Sequence, residues 1–96
     1  MRSPFENKSL IEWLDRQPEG STYLYVDYHD CLICQYFVAM GLPAKCVGTD
    51  MWIDTRDNIR PLPPGWDAVS LGDRTQATKQ QLFSDAAKRA HELLTT

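Results

Sequence analysis

Cys31 and Cys34, three positions apart in "YVDYHDCLIC", are the residues of this 96-residue chain best spaced for chemistry. Two thiols one turn apart at the start of a helix can form and resolve a disulfide. The backbone N–H groups and partial positive charge of a helix N-terminus stabilise the attacking thiolate. With Asp30 as N-cap, Cys31 would take the first helical position and feel that field. His29, Cys31, Cys34 and Cys46 also offer four tetrahedral zinc ligands. Structural zinc usually draws on a second closely spaced pair, whereas Cys46 stands alone, so no metal or other cofactor is expected. The plain use of a cysteine is as a small apolar core residue. The run "CLICQYFVAMG" is apolar on nearly every side, and core packing is the first expectation for both thiols.

A strand, a polar break and a Cys-x-x-Cys opening a helix resemble the thioredoxin-like proteins over about ten residues. The resemblance implies thiol-disulfide exchange by Cys31 and Cys34 as the alternative function. The chain departs from that pattern in three places. Leu32 and Ile33 stand where the motif favours Gly or Pro, and His29 and Asp30 where an aromatic residue is common. Carboxylates at Asp27 and Asp30 oppose thiolate formation. Pro61, Pro63 and Pro64 are followed by "GWDAVSLG" rather than by the strand that the family's cis-proline requires.

No Gly-rich phosphate loop, Ser-His-Asp order or HExxH motif is present. Asp50, Asp54 and Asp57 lack the spacing of a calcium loop and read as a solvated turn. His91, beside Glu92, reads as a surface residue. Trp52 and Trp66 flank the polar, proline-rich stretch "DTRDNIRPLPPG". Tryptophan is enriched at binding hot spots, so Trp52, Asp54, Asp57 and Trp66 are the expected partner-binding residues. The competing reading places both indoles in a small core.

The elements that must position these residues follow from pattern. "SPFE" offers Ser3 as N-cap, Pro4 as first helical residue and Glu6 to close a capping box, predicting a helix over residues 4–17. A later start, capped by Ser9 with Glu12, competes with it. Leu10, Ile11, Trp13 and Leu14 form its apolar stripe, and Pro18 and Gly20 end it. "STYLYVDY" predicts a strand with neither face strongly polar, hence a central one. A buried helix of about ten residues follows and stops at Gly41 and Pro43. "AKCVG" and "MWI" predict two strands in a tight hairpin across "TD". Residues 54–65 read as a surface loop, "PPGWDAVSL" as a helical turn led by Pro64, and residues 78–94 as an amphipathic helix. Lys88 and Arg89 near its end would complement the helix dipole. The sum is one α+β domain over residues 1–96, with about three helices on a three-stranded sheet.

Composition narrows the function classes. With 43% hydrophobic and 24% charged residues the chain is of ordinary globular make-up, which excludes disordered and fibrous classes. Its net charge of -3 arises in residues 1–30, where six acids face three bases, while the remainder balances at seven and seven. No Lys/Arg cluster tracks a phosphate backbone, so direct nucleic-acid binding is not expected. No apolar run approaches the ~20 residues of a membrane span, and "MRSPFENKS" lacks a signal-peptide core, which leads to a cytoplasmic expectation. Three cysteines make no secreted disulfide framework. A chain this small gains from a partner or a second copy of itself, and self-association stays open.

"SLIEWLDRQP", "YLYVDYHDCLICQYF" and "LFSDAAKRAHELL" together resemble a set of small bacterial and prophage-type proteins. The resemblance carries no activity with it and implies a compact accessory protein. In size and acidity the chain is also similar to phage-encoded anti-CRISPR inhibitors. The leading expectation is therefore a non-enzymatic, acidic interaction protein that docks on a basic surface of a partner protein, such as a nucleic-acid-binding complex.

Overall fold

The computed structural model describes residues 3–27, 30–48 and 50–94. The first helix, α1 (Asn7–Asp15), buries Leu10, Ile11 and Leu14 on one stripe. It starts later than a Ser3 cap predicts, and with no side-chain cap at Glu6. Ser3 instead accepts the Phe5 N–H at its hydroxyl, and its carbonyl accepts the Glu6 N–H and the Ser9 hydroxyl. Tertiary contacts draw this lead-in segment off the helical path. The Tyr36 hydroxyl donates to the Pro4 carbonyl, and the Phe5 ring packs against Phe37 and Trp52 at centroid distances of 5.7 and 6.2 Å.

Strand β1 (Thr22–Leu24) is shorter than predicted and is not central. Among the described residues its one sheet partner is β5 (Gln80–Leu82), antiparallel, with Tyr23 opposite Gln81. Residues 80–82, expected to be helical, are taken by that pairing, so the last helix, α4, spans Phe83–Leu93. It buries Phe83, Ala86 and Ala90. Of the predicted strand "STYLYVDY", Tyr28 lies outside the described residues.

The buried helix is found as α2 (Leu32–Ala39), with Leu32, Ile33, Cys34, Tyr36 and Phe37 inside. The predicted hairpin strands are β2 (Ala44–Val47) and β3 (Met51–Asp54), with Val47 opposite Trp52 and an irregularity between Ala44 and Cys46, while Thr49 of the expected turn lies outside the described residues. A third strand, β4 (Ile59–Pro61), arises inside the stretch read as surface loop. It pairs antiparallel with β3, setting Trp52 opposite Arg60 and Met51 opposite Pro61. The three-stranded sheet is therefore β2-β3-β4 rather than one built on β1.

Asp54 makes that extra strand possible. Its carboxylate accepts the backbone N–H groups of Arg56 and Asn58 at 2.9 and 3.0 Å, and then Arg60 Nε at 3.1 Å. These bonds close the turn, and Asp57 at its tip adopts φ 63°, a conformation Asp tolerates better than most side chains. The sequence reads the same residues as merely polar.

Helix α3 (Trp66–Ser70) follows Gly65, whose φ of 87° suits only glycine without strain. The Arg74–Gln76 turn is of 3-10 type, closed by Asp73 accepting the Thr75 N–H. The fold is α+β, with four helices and two small antiparallel sheets among the described residues. Its core joins Leu10 and Leu14 of α1, Tyr36 and Phe37 of α2, Trp52 of β3, Trp66 and Val69 of α3 and Phe83 of α4. No described helix is long and apolar enough to cross a membrane.

Candidate functional site

The two thiols sit where α2 begins. Cys31 is itself the N-cap, in extended conformation, and not the first helical residue as an Asp30 cap would have it. Both side chains are turned inward, Cys31 5% and Cys34 3% exposed. Burial pushes the Cys31 thiol up, and the backbone N–H groups of Cys34 and Ile33 oppose the shift without overcoming it. Cys34 is pushed up to about 11, first by burial and then by the neighbouring Cys31, Cys46, Asp30 and Asp27. A thiol in this state is a poor nucleophile at neutral pH, because the thiolate is the reactive form. Cys31, Cys34 and Cys46 are all free, and Cys46, in β2, is half-buried. No three metal-ligating side chains converge among the described residues, and His29 lies outside them.

The expected docking residues do not form one surface. Trp52 and Trp66, expected on a partner-facing patch, are both buried. The Trp52 ring lies 4.9 Å from Phe37, with the Arg60 guanidinium 5.8 Å above it. Trp66 packs edge-on to Tyr36 at 5.7 Å and donates its indole N–H to Asn7 Oδ1 at 2.8 Å. An indole in a 96-residue domain covers so much apolar area that the core claims it before a partner can. Asp54 is buried as well, occupied by the β3–β4 turn. Asp57 alone of the four is exposed, paired with Lys45 at 2.6 Å.

The acid-rich first third fares differently. Glu12 and Asp15 of α1, Glu19 after it and Asp30 before α2 are all exposed. Asp15 also meets His91 Nε2 of α4 at 2.9 Å, both side chains about half exposed.

A feature with no sequence signal is a cavity of about 120 Å³ at the meeting of β1, α2, β2 and α3. Val26, Ile33, Val47 and Leu62 supply apolar wall, and Cys31 lies among them. Asp67 and Tyr25 stand at its polar side, where the Tyr25 hydroxyl donates to Asp67 Oδ1 at 2.6 Å. Arg74 completes the cluster, donating to Asp67 Oδ2 at 2.7 Å and to the Tyr25 oxygen at 3.1 Å. Burial and the bond to Asp67 push the Tyr25 hydroxyl up. The contributing residues are spread from position 25 to position 74 and share no motif.

Compared with protein-family models, curated proteins and solved structures, the chain gives no match.

Proposed function

We propose that this protein is a non-enzymatic binding protein whose acidic face docks on a basic surface of a partner protein, as small phage-type inhibitors such as anti-CRISPR proteins do. The observation that carries the reading is the exposure of Glu12, Asp15, Glu19 and Asp30, four of the six acids behind the charge imbalance of the first 30 residues. Like-signed side chains held at a surface steer an oppositely charged partner and speed its encounter. With Trp52 and Trp66 in the core, the contact draws on these exposed acids rather than on the indoles. A nucleic-acid-binding complex, whose own function demands a basic surface, fits the description, whereas a phosphate backbone would be repelled.

The test is affinity capture with the wild-type chain beside a Glu12→Lys/Glu19→Lys/Asp30→Lys variant, with co-purifying proteins quantified. A basic partner retained by the wild type, released by moderate salt and lost in the variant supports the reading. Equal retention by both chains, or retention indifferent to salt, removes it. Disulfide exchange by Cys31 and Cys34 is the second reading, and it requires a thiol more reactive than inward-facing groups with raised pKa values supply.

A further inference from the structure

We propose that the cavity between the end of β1, the start of α2, the edge of β2 and α3 is a binding site for a compact, uncharged hydrocarbon molecule of about benzene size. The inference uses none of the acidic residues above and stands apart from the docking reading.

Size comes first. At about 120 Å³ the space, partly open with wall residue Val26 44% exposed, is close in size to the roughly 150 Å³ of an engineered apolar cavity that takes up benzene. A larger, drug-sized ligand needs several hundred Å³. The chemistry of the wall then selects among small guests. Val26, Ile33, Val47 and Leu62 offer hydrocarbon, and the Cys31 sulfur is polarizable and weakly polar.

The polar groups beside the space are engaged elsewhere. Tyr25 and Arg74 occupy both oxygens of Asp67. The Ser70 hydroxyl donates to the Trp66 carbonyl at 3.2 Å, and the Ser70 carbonyl accepts the Tyr23 hydroxyl at 2.5 Å. A trapped water needs two to four polar partners, and a charged guest needs its hydration replaced. Each of these groups already holds a partner, Asp67 with Tyr25 and Arg74 and Ser70 with Trp66 and Tyr23, so the cavity favours a guest that asks for neither. Ile33, Val47, Asp67 and Ser70 hold part of its wall on α2, β2 and α3, and a site so far pre-formed spends less entropy on ordering itself around the guest.

The experiment is a titration of the ¹⁵N-labelled chain with benzene, and separately with xenon, followed by amide chemical shifts. Saturable shifts are expected at Val26, Cys31, Ile33, Val47 and Gly48, with half-saturation by benzene on the order of 1 mM. Val47→Ile and Cys31→Met each enlarge a wall residue and should weaken benzene binding by about tenfold or more. The two variants serve as independent checks, so one that fails to fold leaves the other to decide. Benzoate, the same ring carrying a charge, should leave these amides unmoved. Absence of saturable shifts with both probes, shifts unchanged in a folded variant, or benzoate binding as tightly as benzene would each overturn the proposal.

Discussion

The Tyr23 hydroxyl accepts a hydrogen bond from Arg89 Nη2 at 3.1 Å, joining β1 to α4 across 66 positions of sequence. The same hydroxyl donates to the Ser70 carbonyl, and Arg89 Nε donates to the Val69 carbonyl at 2.9 Å. Two carbonyls at the end of α3, which a helix leaves without intrahelical partners, are thus satisfied by residues of two other elements. Burial, opposed by Arg89, holds the Tyr23 hydroxyl up at about 12, so it remains a neutral donor through the physiological range.

Removing that hydroxyl should be costly for its size. Tyr23→Phe leaves the buried Ser70 carbonyl without its donor, a loss of about 1–3 kcal/mol. Urea unfolding of Tyr23→Phe, Arg89→Ala and the double variant should show less than additive losses, since the two residues share one network. Strict additivity would mean that they act independently.

Asp54 should make the fold sensitive to acid. Hydrogen bonds from Asn58, Arg60 and Arg56 lower its pKa from 3.8 to about 2 in the folded chain. A depressed carboxylate contributes stability that is fully present above its unfolded value and is lost as pH falls through the folded one. The wild type should therefore lose stability between about pH 4 and pH 2, and Asp54→Asn should lose less over that window while being weaker at neutral pH. Thermal melts across this range, with identical acid slopes for both chains, would refute the assignment.

The thiols should react in an order set by burial. In the native protein at pH 7 iodoacetate should modify half-buried Cys46 first, and Cys31 and Cys34 only at the rate of opening. Mass spectrometry of timed, quenched samples reads this directly. Fast modification of Cys31 would revive disulfide exchange as the function.

Substitution of either indole should act on stability before binding. Trp66→Ala and Trp52→Ala are each expected to cost about 3–5 kcal/mol, from lost packing and the void left behind. A melting temperature within a few degrees of wild type for either variant would show that the ring is not a core group.

Local pattern carried some elements and missed others for identifiable reasons. Helix α2 was legible because residues 31–37 are apolar enough to demand burial, and the β2–β3 hairpin because two short strand-forming runs flank a turn. Strand β5 was not legible, because Gln80 and Gln81 carry no strand signal and owe their conformation to β1. Strand β4 was hidden by Pro61 and by its polar neighbours until Asp54 closed the turn. Arg89 read as a dipole partner of its own helix but turns to α3 instead. Of the candidate sites, the inward placement of Cys31 and Cys34 followed from the apolar run around them. The cavity had no forerunner in the sequence, since it exists only once four elements converge.

Pro61 has a further consequence for the rim of the sheet. The Asp54 N–H bonds to the Asn58 carbonyl and the Leu62 N–H to the Asp50 carbonyl, so by the alternation of an antiparallel ladder residues 59 and 61 turn their backbone groups away from β3. At position 61 the outward side offers no hydrogen to a would-be neighbour. Chains colliding at this margin find the zipper broken after one tooth, so the proline guards against fibrous stacking.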